Sequence, residues 1–122
     1  TPTIVRKNGK PLLVTGSPGG STIITTTLQV VLNVIDHDMD VSDAVASPRF
    51  HHQWLPERVI YERFALSPDT RARLEAMGHD QLQQIPTYYG RGIGDANTIM
   101  STEEGIFAMP DPRNRGGAAA PE

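Results

Sequence analysis

The chain has 122 residues, a net charge of −3 and no cysteine. That length holds one modest domain with a single core, and a 38% hydrophobic share fits a small domain or a piece whose core is completed elsewhere. The acidic balance and scattered arginines exclude a nucleic-acid binder, and the lack of cysteine excludes disulfides, thiolate metal sites and a Cys nucleophile.

No apolar run approaches the roughly 20 residues of a membrane helix, and no signal peptide is visible at Thr1. Thr3-Ile4-Val5 reads as a strand, Asn8-Gly9 as a hairpin turn, and Leu12 to Thr15 as the return strand, with Pro11 near its start. A turn-rich loop, Gly16-Ser17-Pro18-Gly19-Gly20-Ser21, follows. Ser21 or Thr22 can cap a helix in which Ile24, Leu28, Val31, Leu32 and Ile35 recur at helical spacing, ending at Asp36 to Asp40.

Val41 to Ala46 predicts a short helix stopped by Pro48. Phe50 to Gln53 and Val59 to Glu62 read as extended, and Ser67-Pro68-Asp69 opens a helix that stops at Gly78. Gln81 to Ile85 reads as a strand, and Thr98 to Ser101 with Ile106 to Met109 as a hairpin. Residues 1–113 form the expected domain, and the Gly/Ala-rich stretch 114–122 a flexible tail. The class is α+β.

The loop from Thr15 to Ser21 carries the strongest chemical signal. Adjacent glycines let the backbone approach a ligand, and amides at a helix N-terminus favour negative charge. Such a loop can hold a phosphate, a carboxylate or a developing oxyanion; the plain alternative is a tight turn. It is neither a Walker A loop, since no Lys follows, nor a GxGxxG fingerprint.

His51 and His52 are adjacent, so on a strand they point to opposite faces and do not share an ion easily. His37 and His79 lie in other segments. Asp36, Asp38 and Asp40 alternate like a calcium loop but lack its Gly and Glu, so a solvated helix end is the better reading.

Pro2 to Val5, Gly9-Lys10 and Val14 to Ser21 together resemble the small subunit of gamma-glutamyltransferases. So do Pro48-Arg49-Phe50-His51-His52-Gln53-Trp54-Leu55-Pro56, Phe64 to Asp69, and Asp111-Pro112-Arg113. The resemblance covers nearly the whole chain in order. It implies part of the αββα sandwich of N-terminal-nucleophile hydrolases, from the C-terminal part of the small subunit. It implies a precursor that cleaves itself, and a Thr nucleophile that attacks gamma-glutamyl amides such as glutathione. The acyl-enzyme then passes the glutamyl group to water, an amino acid or a peptide.

The amides of Gly19 and Gly20 match the family's oxyanion hole. Thr1 does not match the nucleophile, because Thr1-Pro2-Thr3-Ile4-Val5 aligns with the later strand. The nucleophile is therefore expected outside this chain, as are the Ser pair and the Arg that bind the glutamyl group. The partners implied are the large subunit and the upstream part of the small subunit. No cofactor or metal is implied, and bacterial relatives point to a periplasmic or secreted location.

Cephalosporin or glutaryl acylases and poly-gamma-glutamate-cutting enzymes share the loop, and a non-catalytic binding module is the alternative of another class. Arg49 and Arg113 either contact substrate or pin loops through ion pairs, to Asp111 or to the missing subunit; the structural reading is preferred. Trp54 is expected to pack, within the chain or at the subunit interface, and Tyr88 to Gly92 to form a mobile loop.

Overall fold

The computed structural model describes residues 2–86 and 92–114. Thr1, most of the Tyr88 to Gly92 loop and nearly all of the 114–122 tail therefore lie outside the described residues.

Strands β1 (Thr3–Lys7) and β2 (Lys10–Gly16) form the hairpin that Asn8-Gly9 predicts. Both turn residues have positive φ, 52° and 79°, the conformation a two-residue hairpin turn demands. Pro11 costs the sheet little. It sits at a register shift opposite Arg6, before β2 begins pairing with its other neighbour at Leu13.

Helix α1 (Thr22–Ile35) and the short α2 (Val41–Ala46) follow. Asp40 starts α2 by accepting a 2.9 Å bond from the Asp43 amide. Strand β3 (Phe50–His51) pairs antiparallel with β4 (Val59–Glu62). Helix α3 (Pro68–Ala76) crosses over to β5 (Leu82–Ile85), which runs parallel to β4. Strands β6 (Asn97–Ser101) and β7 (Ile106–Met109) close the chain as a hairpin.

The two sheets are β1-β2-β6-β7 and β3-β4-β5, so the α+β class holds. β6 returns from far along the sequence to lie beside β2, where Thr15 and Thr98 share a buried 2.7 Å hydroxyl bond. The core joins one face of the larger sheet to the two helices: Leu13 and Ala96 meet Val30, Val34, Val41, Ala44 and Val45. This is one helical layer on one β layer. The opposite sheet face carries the row Ile4, Val14, Ile99 and Ala108, with Ile4 62% and Ile99 44% exposed.

The buried face of α1 is Thr26, Val30 and Val34. Of the apolar residues that helical spacing picks out, only Val31 packs against the core; Ile24, Leu28, Leu32 and Ile35 point outward. Spacing locates a stripe on a helix, but an uncharged helix with apolar residues on both sides does not say which side meets the sheet. Trp54 is 76% exposed within this chain, with φ 71°.

Candidate functional site: the glycine loop and its supports

The loop between β2 and α1 is fixed through its carbonyl groups. Ser17 Oγ donates to the Pro18 carbonyl at 2.6 Å. The Gly19 carbonyl accepts from the Thr22 amide at 3.2 Å and from Thr22 Oγ1 at 2.9 Å. The Gly20 carbonyl accepts from the Ile23 amide at 3.2 Å.

In a trans peptide the C=O and the next N–H point in opposite directions. Pinning the Pro18 and Gly19 carbonyls therefore aims the Gly19 and Gly20 amides the other way, and neither donates to a described residue. The two N–H groups at the start of an uncharged helix form a ready cradle for an anionic oxygen.

The two glycines are required for different reasons. Gly19 has φ 133°, and a Cβ there would lie 2.5 Å from Thr22 Oγ1. Gly20 has φ 61° with open space around it, so its constraint is conformational rather than steric.

A second segment, residues 92–96, braces the loop from behind. The Asp95 amide donates to Ser17 Oγ at 2.8 Å. A Cβ on Gly94 would lie 2.7 Å from Ser17 Oγ, so the two segments meet backbone to side chain.

That brace hangs on a buried ionic cluster. Glu62, fully buried, accepts from the Ile93 amide (2.8 Å), the Arg49 amide (2.9 Å) and Arg113 Nε (2.7 Å) and Nη2 (2.6 Å). Arg49 Nη1 pairs with Asp111 at 2.7 Å and also donates to the Ile93 carbonyl at 2.8 Å. Asp111 takes Arg113 Nη1 at 3.1 Å and the Ala96 amide at 2.6 Å. The guanidinium groups also serve the last carbonyls of α2, Arg49 and Arg113 both donating to Val45 and Arg113 to Ser47.

Burial alone would raise the carboxyl of Glu62, yet the bonds from Arg113 and from the Ile93 and Arg49 amides outweigh it and hold Glu62 below the ordinary range. Asp111 behaves alike: burial opposes, and Arg49 with the Ala96 and Arg113 amides wins. For Arg113, burial is outweighed by Glu62, so its value rises. Arg49 is lowered by burial, then by repulsion from Arg113.

The ion-pair reading of Arg49 and Arg113 thus holds, with Asp111 the partner. Glu62 and the Gly92-Ile93-Gly94 brace were missed. The available signal was a carboxylate ending the apolar run Val59-Ile60-Tyr61, which alternation alone does not place at the centre of the molecule.

The histidines serve elsewhere. His51, 5% exposed, bonds Thr25 Oγ1 at 2.7 Å and Gln53 at 2.9 Å. His52 meets His79 edge to face at 5.8 Å, a pairing that their separation in sequence hides. No group of three metal-ligating side chains occurs among the described residues.

The helical layer on a sheet fits the fold of the N-terminal-nucleophile hydrolases, to which its structural neighbours belong. The family profile named Gamma-glutamyltranspeptidase matches residues 1–121. The chain belongs to the gamma-glutamyltranspeptidase family.

It is 47% identical over 115 residues to the glutathione hydrolase proenzyme of Escherichia coli, covering 93% of this chain and 19% of that protein. The crystal structure of the Helicobacter pylori gamma-glutamyltranspeptidase superposes with a TM-score of 0.82 at 46% identity, over 93% of this chain and 60% of that one. Cephalosporin acylase from Bacillus halodurans gives 0.81 at 27% identity, over 99% of this chain and 22% of that one. The chain thus spans about a fifth of the length of the curated relatives it matches.

Proposed function

We propose that this chain supplies the oxyanion-binding loop and its scaffold to an enzyme that cleaves gamma-glutamyl amides such as glutathione. The observation that carries the reading is the pair of Gly19 and Gly20 amides, aimed away from α1 by carbonyls that are all bound. Attack by a Thr hydroxyl on the gamma-amide carbonyl pushes an electron pair onto its oxygen, and these amides take that charge. Collapse of the intermediate expels the amine and leaves the glutamyl ester. Water or an acceptor amine attacks the ester through the same hole and regenerates the Thr.

The nucleophile, the groups that bind the glutamyl α-amino and α-carboxylate, and the large subunit lie outside this chain in this reading. A periplasmic or secreted location goes with it, as does the absence of a metal from the chemistry. Ser17 and Thr22 act as positioning residues, each holding one peptide plane.

The test is turnover of a chromogenic gamma-glutamyl anilide by the complete protein. Gly20→Val cannot keep φ 61° and should rotate the donor, lowering kcat by about 10²–10³, the cost of one lost oxyanion donor, with folding retained. Full turnover in that variant would sink the reading. This chain by itself should be inert. The likeness to cephalosporin acylase favours acylase activity as the second reading; activity on a glutaryl amide with none on the gamma-glutamyl anilide would select it.

A further inference from the structure

We propose that the outward face of α1, formed by Ile24, Leu28, Leu32 and Ile35, is the surface on which the larger polypeptide of the processed precursor docks, through an uncharged apolar helix. This rests on the reading that the chain works within a longer enzyme, and not on its catalytic chemistry.

The four side chains are 75%, 50%, 37% and 46% exposed. Helix α1 has no charged residue in its 14 positions. The same chain shows how its solvent-facing helices are built: α3 buries no residue and carries Asp69, Arg71, Arg73 and Glu75 within nine positions. By that standard α1, uncharged and apolar on two opposite sides, is not built as a surface helix, and an apolar face away from the core needs its own cover.

Its inner side already lies on the larger sheet through Thr26, Val30 and Val34. In a sandwich whose outer layers are helices, a second sheet accounts for the apolar row Ile4, Val14, Ile99 and Ala108, but nothing in the sandwich covers the outside of α1. The cover comes from beyond it.

The relatives say how much polypeptide is at hand. The matched region is 19% of the Escherichia coli proenzyme but 60% of the Helicobacter pylori chain in its crystal structure. That chain is therefore about a third as long as a proenzyme, and the larger share of a precursor is separate polypeptide. Ile24, Leu28 and Leu32 stand four residues apart, forming one ridge of the kind that fits the groove of a second helix. With no charge on α1, the partner face must also be uncharged, because an unpaired charge buried there would be costly.

The test is the pair Leu28→Glu and Leu32→Glu, placed together in the 122-residue chain and in the complete protein. The 122-residue chain should keep its circular dichroism and thermal midpoint. In the complete protein, native mass spectrometry and gel filtration should show the two polypeptides at least tenfold less associated than in wild type. Val30→Glu, on the inner face, should instead unfold the chain.

Wild-type-like association in the double variant would overturn the proposal. So would loss of fold in the variant 122-residue chain, which would show the face in use within it, or a wild-type protein with no second polypeptide. Association is read by mass, so lost docking in a protein that never cleaved a gamma-glutamyl amide would support this surface and reject the catalytic reading.

Discussion

At the scale of single residues, the glycine loop is held by two hydroxyls, those of Ser17 and Thr22, which bind the Pro18 and Gly19 carbonyls. Thr22 Oγ1 holds the Gly19 carbonyl, and through the planar peptide it sets the direction of the Gly20 N–H. Thr22→Val keeps the shape of the side chain and removes that bond. It should lower kcat on the gamma-glutamyl anilide roughly tenfold, the size of about 1.4 kcal/mol, with KM little changed. Thr22→Ser should restore most of the rate, which simple loss of packing would not predict.

The ionic cluster is governed by a different balance. Its two arginines and two carboxylates are nearly fully buried, so each charge depends on its partners. Asp111→Ala would leave Arg49 charged and unpaired in the interior, at a cost of about 3–5 kcal/mol. Urea denaturation should show that loss, a large part of the 5–15 kcal/mol or so that holds a typical domain together.

At the scale of elements, each helix has its own device. α3 depends on its ends, because it buries no residue. The Ser67 side chain accepts the Thr70 amide at 3.1 Å, Pro68 takes the first turn, and Gly78 at φ 98° leaves the helix while His79 bonds back to the Leu74 carbonyl. Ser67→Ala should weaken α3 by about 1 kcal/mol. Hydrogen exchange should speed up at Thr70 and Arg71, while amides in β2 and β6 should be unaffected, since α3 makes no part of the core around Leu13 and Val30.

The limits of α3 and the β1-β2 hairpin were legible because the Ser67 cap, Pro, Gly and Asn-Gly are local signals, whereas the cap expected at Ser21 or Thr22 makes no side-chain bond to a first-turn amide of α1. The facing of α1 was not, because its opposite sides are both uncharged and the choice was made by where β2 places Leu13 and where the segment leading into β6 places Ala96. The pairing of β2 with β6 is likewise a contact between distant segments, with no turn between them to announce it.

At the scale of the whole molecule, Glu62 and Asp111 tie α2, β4, the 92–96 segment and the start of the C-terminal stretch into one unit. Both carboxyls have folded-state values below their unfolded ones. Their contribution is therefore complete above the ordinary carboxylate range, near about pH 4, and is lost as pH falls through the lower folded values. Stability from these groups should be flat from neutral pH to about pH 5 and fall below about pH 4. An acid titration followed by circular dichroism should show this, and a Glu62→Gln and Asp111→Asn double variant should lose most of the slope along with the stability.

The sequence by itself determined the class, the order of elements, the glycine loop and the family, because these rest on local chemistry and on motifs that occur in a fixed order. It also placed Arg49 and Arg113 in ion pairs with Asp111 as the candidate partner. Only the tertiary structure decided that Glu62 joins them, that Ser17 and Thr22 bind the carbonyls behind the paired amides, and that Ile24, Leu28, Leu32 and Ile35 on α1 face outward. Each of those facts depends on atoms brought together across the chain, where direction and burial are set by packing and not by spacing along the sequence.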